Sequence, residues 1–107
     1  MELARVVYAR TEEFPKSETF GLRMQLRRSA VGTASHIADG HGRLTDVENR
    51  KSLSVARGAL NELQTQIELA ESLRFLDKQA GEQMLELSTE VAKLINGLLG
   101  VLEPQPR

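Results

Sequence analysis

The sequence predicts an all-α fold: an antiparallel, up-down bundle of four helices, the first of them short, forming a single domain over residues 1–107. Three observations carry that prediction. Apolar residues recur at alternating spacings of three and four, the repeat of a helix that buries one face. Period-two alternation, the mark of a half-buried strand, never runs beyond a few residues. The breaks between periodic stretches are short and hold Gly, Pro and capping residues, as connections between antiparallel neighbours do.

The first helix is expected over about 2–12, where Leu3, Val6, Val7 and Tyr8 supply apolar side chains. Phe14-Pro15-Lys16-Ser17-Glu18 then forms a break and restart. Pro15 bars a continuous helix, because it has no N–H and its ring clashes with the preceding turn, and either Pro15 or Ser17 suits the next start. The second helix is placed at about 17–39, with Phe20, Leu22, Leu26, Ala30, Val31, Ala34, Ile37 and Ala38 giving its apolar face. Gly32-Thr33 lowers helix propensity in mid-run and favours a bend, and Gly40 is read as the C′ residue.

The third helix, about 46–73, has the clearest seam: Leu53, Ala56, Leu60, Leu63, Ile67, Ala70. Thr45-Asp46-Val47-Glu48 signs its start. Thr45 can accept from the Glu48 amide while the Glu48 carboxylate reaches back, and Asp46 suits the positive end of the helix. Arg74-Phe75-Leu76-Asp77 is a short connection with Asp77 as N-cap of the fourth helix, about 78–102. Its seam reads Met84, Leu87, Val91, Leu94, Leu98, Val101, widened by Leu85, Ala92, Ile95, Leu99 and Leu102. That face is broader than one neighbour needs, which implies burial on more than one side or against another subunit. Pro104 and Pro106 are expected to end the helix.

Composition narrows the function classes. Formal net charge is −1, which gives no overall electrostatic case for nucleic acid. Basic residues concentrate early: residues 1–40 hold six Lys/Arg and five Asp/Glu, residues 77–107 three and five. With no cysteine there is neither a disulfide nor a thiolate metal site, which fits a cytoplasmic setting. Met1-Glu2-Leu3-Ala4-Arg5-Val6-Val7 does not read as a signal peptide, and no apolar run approaches the roughly 18 residues of a membrane span.

Catalytic and metal chemistry find little footing. His36 and His41 are the only histidines, and neither follows a carboxylate at the Glu-x-x-His spacing of bundle metal sites. Ser35 and His36 are adjacent, so on a helix they diverge by about 100°, and His36 with Asp39 is more simply a local hydrogen bond than a dyad. Glu62, Glu68, Glu71, Glu82, Glu86 and Glu90 sit at spacings of solvated helix faces. Gly40-His41-Gly42-Arg43 lacks the preceding strand and following Lys-Ser/Thr of a phosphate loop. The reading is therefore no enzyme, no cofactor and no metal. Arg23, Arg27 and Arg28, with Arg43 from the loop, form the one cluster suited to phosphates, and a ring of copies would multiply it. The simpler reading is that these arginines pair with Glu18 or with acids on another helix or subunit. No aromatic residue interleaves with them for base stacking.

The run Phe14-Pro15, Glu18, Gly21-Leu22, Gln25-Leu26-Arg27-Arg28-Ser29-Ala30-Val31, Ile37-Ala38-Asp39-Gly40, Gly42-Arg43 resembles the four-helix-bundle proteins encoded in intervening sequences of bacterial 23S rRNA. Leu53 and Ala56-Arg57-Gly58-Ala59-Leu60-Asn61-Glu62-Leu63 resembles that family's third helix, and the likeness runs from about Tyr8 to Leu102. Pro15, Gln25, Arg28, Ile37, Asp39, Gly40, Gly42 and Arg43 are its motif positions. The resemblance implies a four-helix protomer and a ring-shaped homopentamer. It also extends to the basic, nucleic-acid-binding accessory variability determinant of diversity-generating retroelements, whose strong positive charge this chain does not share. Ala34, His36 and Asp39 stand where the family usually has Pro, Asn and Glu. The family's first helix commonly starts well before the equivalent of Tyr8, and here seven residues precede it, so the expectation is either incomplete packing of that helix or a shortened chain start. The resulting expectation is a self-assembling interaction scaffold whose partner is itself or another protein. The alternative is an RNA- or DNA-binding accessory protein using Arg23, Arg27, Arg28 and Arg43 on the assembled ring.

Overall fold

A computed structural model describes residues 1–102. It holds four α-helices, α1 (Glu2–Arg10), α2 (Leu22–His41), α3 (Asp46–Ser72) and α4 (Lys78–Val101), with a single 3-10 turn at Lys16–Glu18 between the first two. There is no strand among the described residues. α1 packs on α2 and α4, and α3 packs on the same pair, so α2 and α4 occupy one diagonal of the bundle. The expected antiparallel four-helix bundle with a short first helix is what forms.

Local chemistry fixes the boundaries. α1 stops at Arg10, short of the expected 12, because the chain tightens there. Thr11 donates both its amide and its hydroxyl to Val7 O, and Phe14 N–H reaches back to Thr11 O. This brings Phe14 into the core beside Phe75, with ring centroids 5.6 Å apart. α2 begins at Leu22 rather than 17. The Glu18 carboxylate accepts from Leu22 N–H at 2.9 Å and so caps the helix from outside it. A Cβ at Gly21 would meet that carboxylate at 2.8 Å, so only glycine fits there without moving the cap.

At the other end α2 continues to His41, through Gly32 without a break, and Gly42 is the C-cap. Gly40 is therefore not a C′ residue. It is buried inside the helix where α2 approaches α3, and a Cβ there would meet Asn49 Oδ1 at 2.8 Å and Ser52 Cβ at 3.2 Å. Close approach, not a left-handed backbone, explains this glycine. The α3 start follows expectation in part: Thr45 Oγ1 accepts from Glu48 N–H at 3.2 Å, while the reciprocal Glu48 bond is not made. Asp77 caps α4 through Ala80 N–H at 2.7 Å. Pro104 and Pro106 lie outside the described residues.

The core rests on α3. All six residues of its seam, Leu53, Ala56, Leu60, Leu63, Ile67 and Ala70, are buried. Leu3 and Val7 of α1, Leu22, Leu26 and Ala30 of α2, and Met84, Ile95 and Leu99 of α4 close around them. Two seams differ from expectation. In α4 the buried line is Ala80, Met84, Ser88, Ile95, Leu99, whereas Leu94 and Val101 are 51% and 80% exposed. α1 is too short to cover that side of the lower α4, so the stripe turns toward α3. Phe20, ahead of α2, and Val31 within it are exposed, and Ser29 and Thr33 take inward positions instead. The buried hydroxyls are satisfied: Thr33 donates to Ser29 O, Ser88 to Met84 O, and Ser29 hydrogen-bonds Gln66 Oε1.

Candidate interaction surface on the second helix

The arginine cluster lies where α2 faces α1. Arg27 is the most engaged of the group. Its Nε donates to Thr11 Oγ1 at 2.9 Å, its other donors reach Tyr8 O and Glu12 Oε2, and its guanidinium stacks on the Tyr8 ring 4.5 Å from the centroid. Arg23 shares the same Glu12 oxygen at 3.3 Å, and its Nε is shut away from solvent with no partner. Two guanidiniums on one carboxylate hold the end of α1 against α2. Arg28 points outward from the next position and has no partner among the described residues.

Arg43 is not part of this cluster. It pairs with Asp39 one turn earlier, at 3.1 Å, on the loop leaving α2. Asp39 Oδ2 also accepts from Ser52 Oγ at 2.7 Å. The Ser52 hydroxyl first, then Arg43, holds the Asp39 carboxyl below its ordinary value. Thus Asp39, Gly40 and Arg43 form one joint between α2 and α3: a glycine for close approach and a carboxylate tying helix to helix. His36 lies in the outer α2–α3 groove with Gln25, Arg28, Gly32, Gly58 and Glu62, and His41 is exposed at the helix end. Ile37 is half-buried against the core, and Pro15 precedes the 3-10 turn. Among the described residues no three His, Asp or Glu side chains converge as a metal site. Nor, among the described residues, is any helix long and apolar enough to cross a membrane.

Sequence reasoning missed the three residues that receive Arg27: Tyr8 on α1, and Thr11 and Glu12 in the turn that ends it. Their i, i+3, i+4 spacing, which would share one face of the helix expected over about 2–12, was the available signal. Together the elements make a shallow groove of about 640 Å³ whose walls include Tyr8, Met24, Arg27, Arg28 and Val31. Apolar side chains stand beside fixed cations here. Aromatic residues, Met and Arg are the residue types enriched where proteins meet.

The family model for the 23S rRNA-intervening sequence protein matches residues 1–97. A solved structure, a protein of unknown function from the S23 ribosomal protein family of Bacteroides thetaiotaomicron, superposes with a TM-score of 0.81. Its sequence identity is 22%, over 92% of each chain. No curated protein matches.

Proposed function

The chain belongs to the 23S rRNA-intervening sequence protein family, and on that premise we propose that it is a non-enzymatic, self-assembling bundle acting in the cytoplasm as an oligomeric interaction scaffold, a homopentamer. One observation carries most of this reading: several large apolar side chains stand exposed on the outer sides of the bundle. Tyr8, Met24 and Val31 line the outer side of α1 and α2, and Leu94 and Val101 line α4. Exposure of that kind fits surfaces that are covered when copies meet. A chain of this length also gains stability by association. The enzymatic reading lacks a base with a free partner, since Asp39 beside His36 is already bound by Ser52 and Arg43.

Phosphate contact through Arg23, Arg27, Arg28 and Arg43 has less support. The first two share Glu12 and the last is held by Asp39, which leaves Arg28 alone unpaired. Sedimentation velocity at micromolar concentration tests the scaffold reading. The wild-type chain is expected as an oligomer, and Val31→Glu as a weaker one with unchanged helicity. A monomeric wild type overturns the proposal.

A further inference from the structure

Resting on the self-assembly reading, we infer that copies join through the basic outer face of α2 on one and the acidic outer face of α4 on the next. The two faces lie at opposite corners of the bundle, because α2 and α4 share a diagonal. On the α2 side stands exposed Arg28, with Arg23 and Arg27 at the edge toward α1 sharing the single carboxylate of Glu12. On the α4 side Glu82, Glu86 and Glu90 are all exposed at successive turns, three carboxylates between Lys78 at one end and Lys93 at the other. Lys78 reaches Glu82 only at 4.0 Å, and Glu86 and Glu90 have no partner among the described residues.

The two charged rows also stand at the same height. Arg27 stacks on Tyr8, and Arg10 donates to Gln83 Oε1 at 3.0 Å. Tyr8 and Arg10 are separated by about 3 Å of helix rise, so Arg27 and Gln83 stand within about one turn of each other along the bundle. α2 and α4 are alternate members of an up-down bundle and run parallel, so both rows descend together. Rotation of a second copy about an axis parallel to the bundle therefore brings the arginines level with the glutamates to within about one turn. Met24 and Val31 flank the arginines, and Leu94 lies one turn beyond Glu90, giving each face apolar area to bury beside the charges. Because the two surfaces differ, the contact is heterologous: repeated, it closes a ring or extends a filament and cannot make a two-fold dimer.

Charge reversal tests the pairing. Sedimentation dilution series are run on the wild type, Arg28→Glu, Glu86→Arg and the double variant, with circular dichroism to confirm helicity. Each single reversal sets like charges together and is expected to weaken association by at least about tenfold. The double variant restores opposite charges in exchanged positions and is expected to return to near the wild-type value. Arg28→Gln and Glu86→Gln, expected to weaken association less, give the same readout if a reversal disturbs folding. A wild type that assembles while the single variants do so equally well overturns this interface and leaves self-assembly standing. So does a double variant that stays dissociated. A monomeric wild type overturns both.

Discussion

Replacing Arg27 with alanine removes a hydrogen bond to fully buried Thr11, a bond to Tyr8 O, an ion pair with Glu12 and a cation–π contact at once. Exposed pairs of this kind are worth little, but Arg27 is mostly buried and several of its donors act together. The expected loss is about 2 kcal/mol of stability, read from the urea midpoint, with a loss of protection in α1 amides on hydrogen exchange. Unchanged α1 protection would show that the helix docks through Leu3 and Val7 alone. Asp39 offers a second test at this scale. Its folded value lies below the ordinary 3.8, so its contribution is present above the unfolded value and is lost as pH falls through the lower folded one. Ser52→Ala is expected to raise the Asp39 value toward the ordinary one, followed by NMR titration of its carboxyl carbon. The Thr45 cap was legible in the sequence because donor and acceptor lie three residues apart. Arg27 was not, because its partners are 16 and 19 residues away, at the end of α1 and just beyond it.

At the level of elements, the third and fourth helices meet at a turn that the sequence marked only as short. Phe75 N–H bonds to Ala70 O at 2.9 Å and Arg74 N–H to Glu71 O at 3.0 Å, closing α3 in a Schellman motif. Arg74 takes the left-handed position, φ 63°, where glycine usually stands. Arg74→Gly is expected to stabilise the chain by about 1 kcal/mol, seen as a higher urea midpoint at unchanged slope. A lower midpoint would mean that the Arg74 side chain contributes more than its backbone costs. At the far end Arg50 donates to Leu99 O at 2.6 Å, tying the last turn of α4 to α3. The α3 seam was readable because it is buried on two sides at once, against α2 and α4. The α4 and α2 faces were only partly readable, because a 3-4 pattern does not say which of several apolar stripes meets a neighbour. Leu94 and Val101 satisfy the pattern yet face the side that short α1 leaves open. Gly40 shows the same limit, since a close approach between helices leaves no mark beyond the glycine itself.

Across the whole molecule the bundle is elongated, 47 × 23 × 23 Å, with a basic outer corner on α2, an acidic one on α4 and apolar side chains beside both. That distribution favours repeated contact between unlike faces over a solitary monomer. The fold class was legible because periodicity, caps and breaks agreed along the chain. The proposed assembly surface was not, since a sequence lists its charges without saying which helices turn them outward at opposite corners. Native mass spectrometry of the full chain at micromolar concentration tests the central claim most directly. The account predicts one dominant homo-oligomer at the mass of a pentamer, dissociating as salt weakens the α2–α4 pairing. A spectrum holding only the monomer at low and high salt would contradict it.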